Sequence, residues 1–60
     1  MGKKLVAAHD LKKGTVVTSK DLTIKSPNDG LPPYEINTIL GKVLNRDLFK
    51  DENISLDDLN

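Results

Sequence analysis

Val6 to Leu22 reads VAAHDLKKGTVVTSKDL, and Val43 to Leu59 reads VLNRDLFKDENISLDDL. The two stretches align without a gap, the second beginning 37 positions after the first. The identical pairs are Val6 and Val43, Asp10 and Asp47, Leu11 and Leu48, Lys13 and Lys50, Asp21 and Asp58, and Leu22 and Leu59. Self-similarity at a fixed offset is typical of one structural unit used more than once. Two copies in 60 residues predict one domain with a pseudo-twofold axis.

Composition limits how this domain can be stabilised and what it can bind. A chain of 60 residues without cysteine and with one histidine cannot rely on disulfides or a structural zinc ion, so it must fold by packing alone or depend on a partner. The absence of cysteine fits a reducing compartment, and we expect a cytoplasmic protein. Nine basic and nine acidic residues leave no basic stripe for nucleic acid, and no apolar run is long enough for a membrane span.

Local patterns predict short elements only. Residues 5–8 are apolar and predict a buried strand, and residues 22–25 alternate as a half-buried strand does. Thr18 with Asp21, and Ser55 with Asp58, have the spacing of a capping box. Residues 32–41 predict a short helix that ends at a glycine. The fold class predicted is therefore small mixed α/β, mostly short strands with short helical or 3-10 turns.

The apolar positions of these elements predict the core. Its expected members are Val6, Ala8, Leu11, Val17, Leu22, Ile24, Ile36, Leu40, Val43, Leu48, Ile54 and Leu59. We expect Leu22→Ala or Leu59→Ala to cost about 2–5 kcal/mol if these side chains are buried.

The segment between the two copies carries the candidate binding residues. It places polar donors and acceptors between two prolines and a glycine, and it has no equivalent in the repeat. Loops held by a rigid scaffold often contact ligands. The same turn residues also occur in loops that only connect two parts of the chain. The candidate substrate-binding residues are Lys25, Ser26, Asn28, Asp29, Gly30 and Leu31.

No residue pattern indicates catalysis or metal binding within the chain. His9 is the one histidine and aligns with Arg46 in the second copy, which is typical of polar surface. A zinc site needs about three protein ligands. The acidic residues near the end lack the central glycine and the final glutamate of a calcium loop. We therefore expect no catalytic residue, no metal ligand and no cofactor in this domain.

The chain resembles the SAF family, the antifreeze-like domains, and in particular the version at the C-terminus of sialic acid synthases. The resemblance covers essentially the whole chain. The stretches that carry it are LVAAHDLKKG at 5–14, TSKDLTIK at 18–25, GLPP at 30–33, ILGK at 39–42, NRD at 45–47 and ENI at 52–54.

This resemblance implies a compact pseudo-twofold fold of the β-clip type. It also implies that residues 1–60 form a single domain cut from the C-terminus of a larger enzyme. In the synthases an N-terminal (β/α)8 barrel, holding a divalent manganese or magnesium ion, condenses phosphoenolpyruvate with N-acetylmannosamine or a related sugar. The antifreeze-like domain reaches the barrel of the other subunit in a swapped homodimer and closes the pocket of the N-acyl amino sugar. The isolated domain would then have no catalytic activity.

One departure from the family concerns the candidate loop. The family's Arg-Pro-Gly segment contacts the N-acyl group through its arginine, whereas this chain has Ser26 at the arginine position and Asn28 at the glycine position. The arginine contact is therefore not carried over. Lys25 supplies a nearby charge, and the Asn28 amide with the Asp29 carboxylate offers groups suited to amides or hydroxyls.

Two alternative functions belong to other classes. A free-standing antifreeze protein needs a flat, weakly polar ice-binding face, but the corresponding stretch here carries Lys12, Lys13, Lys20 and Asp21, which hold water strongly. The other alternative is an SAF module in a different parent, such as a sugar-acid dehydratase or a pilus or flagellar assembly factor. The GLPP to ILGK stretch favours the synthase.

Overall fold

Two short strands form the one regular sheet of the residues described here. The computed structural model describes residues 2–60. Strand β1 spans Lys4–Ala7, strand β2 spans Leu22–Lys25 and helix α1 spans Ile36–Ile39. Single 3-10 turns lie at Ser19–Asp21, Pro33–Glu35 and Leu56–Asp58. The strands pair antiparallel, with Lys4 opposite Lys25 and Ala7 opposite Leu22. Between residues 2 and 60 no helix has the length and apolar character needed to cross a membrane.

The pseudo-twofold axis passes between Leu11 and Leu48. The Leu11 N–H donates to the Leu48 carbonyl at 2.7 Å, and the Leu48 N–H donates to the Leu11 carbonyl at 2.8 Å. These residues hold the same position in the two copies, so each bonds to its own counterpart. Other pairings obey the same operation, with Ala7–Leu22 matched by Leu44–Leu59 and Val6–Asn53 matched by Val43–Val16. The prediction of one unit used twice is confirmed.

Side chains also join the copies symmetrically. The Asp47 carboxylate accepts the Lys13 N–H at 2.7 Å, and the Asp10 carboxylate accepts the Lys50 N–H at 2.8 Å. A backbone N–H group in a turn has no partner from a regular helix or sheet, so it needs another acceptor. Each copy therefore supplies the acceptor that caps the turn of the other copy.

The two predicted capping boxes are present. The Asp21 carboxylate accepts the Thr18 N–H at 2.9 Å, and the Asp58 carboxylate accepts the Ser55 N–H at 3.0 Å. Each box begins a single 3-10 turn. A carboxylate three residues after the cap satisfies a donor that would otherwise be free at the start of the turn.

The two capping carboxylates also have equivalent basic neighbours. His9 Nε2 lies 3.0 Å from Asp21 Oδ1, and Arg46 Nε lies 2.7 Å from Asp58 Oδ1. Asp58 is only 7% exposed. Burial acts to raise the pKa of Asp58, but the hydrogen bonds from Arg46 and from the Ser55 N–H outweigh it, so the pKa lies below its usual value. Asp58 is therefore a buried but fully partnered carboxylate.

The core confirms part of the predicted set and corrects the rest. The predicted members that are buried are Val6, Leu11, Val17, Leu48 and Ile54. Four buried residues were not predicted: Leu5, Ala7, Ile39 and Leu44. Those predicted as core but only half-buried are Ala8, Leu22, Ile36, Leu40, Val43 and Leu59. Because Leu22 and Leu59 keep partial exposure, their alanine variants are expected to cost less than full burial would give.

Strand position explains these corrections. β1 is paired along one edge with β2 and along the other with Asn53, and its last three residues are all buried. β2 is half-buried in its first two residues and exposed in its last two, so Ile24 is 54% exposed and was wrongly placed in the core. The predicted helix at 32–41 is shorter, a 3-10 turn followed by the four residues of α1.

Candidate functional site

The loop that links β2 to the second half of the chain is attached to β1 at its far end. The backbone bends continuously from residue 26 to residue 30. The Leu31 carbonyl then accepts the Leu5 N–H at 2.9 Å, and the Leu31 side chain packs against the core. Since β2 is itself paired with β1, both ends of the loop rest on the same strand.

Asp29 holds the middle of the loop in place. Its carboxylate accepts a hydrogen bond from Lys4 Nζ at 2.7 Å, and its carbonyl accepts one from Asn53 Nδ2 at 3.2 Å. The Lys4 hydrogen bond keeps the pKa of Asp29 below its usual value. The loop backbone also runs close to Asn53. A β-carbon at Gly30 would lie only 3.2 Å from Asn53 Nδ2. Asp29 therefore anchors the loop and is not a free acceptor.

Two further loop residues already have partners. Lys25 Nζ forms an ion pair with Asp51 at 2.9 Å, and this pair keeps the pKa of Asp51 below its usual value. Ser26 Oγ accepts a hydrogen bond from Lys3 Nζ at 3.2 Å. The Lys25 charge is therefore neutralised in place, whereas the Ser26 hydroxyl is paired with a cation.

A surface groove of about 540 Å³ lies beside the loop. The residues that line it come from three parts of the chain: Gly2 and Lys3, Asn28 and Gly30, and Pro32, Pro33 and Tyr34. Tyr34 is 83% exposed. Its lining is mostly apolar, with Asn28 and Lys3 as the polar residues, a composition typical of small-ligand sites.

The groove contains two of the six predicted site residues. Asn28 and Gly30 line it, whereas Lys25, Ser26, Asp29 and Leu31 do not. Sequence reasoning missed Lys3 and Tyr34. The pair of prolines before an aromatic residue was a usable signal for Tyr34. Lys3 had no such signal, because its approach to the loop is a contact across 23 positions of sequence.

The Lys4–Asp29 pair predicts an acid-sensitive loop. Because the folded pKa of Asp29 is lowered, the pair stabilises the fold above the unfolded pKa of about 3.9 and this contribution is lost as pH falls through the folded pKa. A carboxyl ¹³C NMR titration should place the Asp29 midpoint below about 3.9. Lys4→Met should raise that midpoint, and the matched change Lys25→Met should instead raise the midpoint of Asp51. If the titration midpoint of Asp29 is unchanged in Lys4→Met, the proposed anchoring of the loop by the Lys4–Asp29 pair is wrong.

Comparison with known proteins agrees with this architecture. The chain matches the SAF domain family over residues 4–60. It is 36% identical over 50 residues to the N,N'-diacetyllegionaminic acid synthase of Campylobacter jejuni, an alignment that covers 83% of this chain and 15% of that protein. The chain thus corresponds to about one seventh of that relative's length.

The fold is also similar to a solved domain structure. The solution structure of the antifreeze protein-like domain in human N-acetylneuraminic acid phosphate synthase aligns with a TM-score of 0.90 and 28% identity, covering 95% of this chain and 73% of that one. The family match extends across both copies of the repeat and the loop between them. This chain therefore belongs to the SAF domain family, as an antifreeze-like domain similar to those of the sialic acid synthases.

Proposed function

We propose that this chain is the C-terminal antifreeze-like domain of a sialic acid synthase-type enzyme. The parent would condense phosphoenolpyruvate with N-acetylmannosamine or a related acylated amino sugar. The domain would close the sugar pocket, with the loop from Lys25 to Leu31 facing the sugar. The observation that carries the proposal is the anchored loop beside a groove of about 540 Å³ in a fold similar to the antifreeze-like domain of a named synthase.

The parent's chemistry would lie outside these residues. A barrel supplied by the other subunit of a swapped homodimer would bind phosphoenolpyruvate and hold the divalent manganese or magnesium ion that polarises oxygens during the condensation. Within residues 2–60 no three His, Cys, Asp or Glu side chains come together in a way that could hold a metal ion. The role proposed for this domain is therefore to shape the sugar pocket and to exclude water from it.

Asn28 is the loop residue best placed to contact the sugar. It lines the groove, whereas Asp29 and Lys25 are held by ion pairs. A primary amide offers one acceptor and two donors, which matches both the carbonyl and the N–H of an acylamino group. The Asn28 side chain lies so close to Gly2 that a β-carbon at position 2 would collide with it, which keeps the amide at the groove.

Steady-state kinetics of the full-length parent enzyme test the proposal. Asn28→Ala should raise the KM for the amino sugar by about five- to thirtyfold, the cost of about one lost hydrogen bond, and should leave the KM for phosphoenolpyruvate unchanged. Asn37→Ala is the matched control, because Asn37 is an exposed amide that does not line the groove. Unchanged sugar kinetics in Asn28→Ala would remove the loop from the pocket.

A further inference from the structure

Asp29 is the one aspartate of the chain that precedes a glycine. An aspartyl–glycyl bond is prone to rearrangement, because the glycine nitrogen can attack the side-chain carboxyl carbon and glycine has no β-carbon to hinder the approach. The bond lies among the bends of residues 26–30, where the Asp29 side chain is 63% exposed. No backbone carbonyl of residues 2–60 accepts the Gly30 N–H, so no such hydrogen bond holds the attacking nitrogen.

The rearrangement proceeds through a cyclic imide and needs no reagent except water. The Gly30 nitrogen bonds to Cγ of Asp29, and the hydroxyl of the protonated carboxyl leaves with the N–H proton as water, which closes a five-membered succinimide ring. Water then adds to one of the two ring carbonyls. Addition at Cγ restores aspartate, whereas addition at the α-carbonyl gives isoaspartate, in which the main chain runs through Cγ and the α-carboxylate is the side group.

We propose that Asp29 is a site of isoaspartate formation in the folded domain and that Lys4 limits its rate. Lys4 Nζ lies 2.7 Å from the Asp29 carboxylate, and the Lys4 side chain is only 13% exposed, so the ammonium group is a well-placed partner. The proposal goes beyond the proposed function, since it concerns a bond within this chain and needs neither a barrel nor a sugar.

The charge of the carboxylate explains how Lys4 acts. An ionised carboxylate has no hydroxyl to lose as water, so it closes the ring more slowly than the protonated acid does. The hydrogen bond from Lys4 keeps the pKa of Asp29 below its usual value. The ion pair thus keeps the carboxyl group in its less reactive form, and loss of the pair should speed the reaction.

Modification would remove both contacts that hold the middle of the loop. Lys4 binds the Asp29 carboxylate, and Asn53 Nδ2 donates to the Asp29 carbonyl at 3.2 Å. Ring closure consumes that carboxylate, and isoaspartate lengthens the main chain by one methylene group. The Gly30 backbone already lies close to Asn53, so the longer chain cannot keep the same path. The loop beside the groove would therefore change shape when Asp29 is modified.

Incubation of the 60-residue chain at 37 °C in mildly acidic buffer tests the proposal. Isoaspartate is quantified with an isoaspartyl methyltransferase and a labelled methyl donor, and it is located by electron-transfer fragmentation of the peptides. We expect isoaspartate at position 29 to accumulate over weeks in the folded chain. Added NaCl screens an exposed ion pair and should raise the rate.

Variants isolate the contribution of the ion pair. Lys4→Met should raise the rate at Asp29 about two- to fivefold, the range for the loss of one exposed ion pair, whereas Lys4→Arg keeps the charge and should keep the rate. Lys25→Met is the matched control, because it breaks the separate pair with Asp51 and should leave the rate at Asp29 unchanged. Circular dichroism establishes that each variant is folded.

Three outcomes would overturn the proposal: no isoaspartate at Asp29 in the folded chain, deamidation of Asn28 as the one product, or equal rates in Lys4→Met and Lys25→Met. If Lys4→Met does not fold, an unchanged rate of the original chain in high salt would instead overturn the role of Lys4. These failures are distinct from a failure of the kinetic test on Asn28→Ala, because they are read from a covalent change in this chain alone.

Discussion

Ile54→Ala is expected to remove most of the stability of this domain. Ile54 is fully buried at the centre of the core, and truncating a buried isoleucine costs about 2–5 kcal/mol through lost burial and the cavity that remains. A domain of 60 residues has a total stability of roughly 3–9 kcal/mol. The variant should therefore lose about half of its stability or more and be only marginally stable at 25 °C.

Urea denaturation followed by circular dichroism measures this effect. Ile24→Ala is the matched control, because it removes the same atoms from a side chain that is 54% exposed, and it should change the free energy of unfolding by no more than about 0.5 kcal/mol. If Ile54→Ala does not fold at all, Ile54→Val should still be measurable, at about 0.5–1.5 kcal/mol. Equal costs at positions 24 and 54 would mean that the core described here is wrong.

Asp58→Ala is expected to have the second largest effect. The carboxylate accepts hydrogen bonds from Arg46 Nε at 2.7 Å, from the Ser55 N–H at 3.0 Å and from Ser55 Oγ at 3.3 Å. Its removal takes away the cap of the last 3-10 turn and a charge-assisted hydrogen bond, which together cost about 1–3 kcal/mol. Arg46 would keep its contact with Glu52 at 3.0 Å, so the loss is not larger.

The repeat provides the control for this prediction. Asp21→Ala removes the equivalent cap from the first copy, where the neighbour is His9 at 3.0 Å and not an arginine. Asp21→Ala should cost less, since the Asp21 side chain is more exposed than that of Asp58 and has no bond to an arginine guanidinium. A larger loss in Asp21→Ala than in Asp58→Ala would show that the arginine pair contributes little. Double-mutant cycles with Arg46→Met and His9→Ala isolate each pair.

Much of the fold followed from the sequence because its organising features are local or repeated. The offset of the two copies located the symmetry, and the spacing of Thr18 and Asp21 located a capped turn. A capping box needs only four consecutive residues, so it can be predicted without knowing what packs around it. The family resemblance agreed with both.

The core register was harder to predict because it depends on tertiary neighbours. Alternation along Leu22 and Ile24 correctly indicated a strand but could not show that the second half of β2 runs beyond the core. In β1 the successive residues Leu5, Val6 and Ala7 are all buried, which means that both faces of the strand are covered and no alternation remains to be detected. Burial was thus decided by the position of each strand and not by its own pattern.

The candidate site was predicted in location but not in detail. The loop was identified from its prolines, glycine and polar residues, and Asn28 and Gly30 do line the groove. The ion pairs that occupy Lys25 and Asp29 join them to Asp51 and Lys4, which are distant in sequence. The residue type shows that a side chain could bind a ligand, but only the fold shows whether that side chain is already paired with another residue of the protein.

The hydrogen-bonded bridge between Leu11 and Leu48 also has a consequence for the kinetics of folding. To form it, the chain must close a long loop between the copies, and the entropy of that closure opposes folding until the contact is made. Strands of four residues and single helical turns are too short to persist alone in the meantime. We therefore expect the encounter of the two copies to limit the folding rate, and a peptide containing either copy by itself to show no stable structure by circular dichroism.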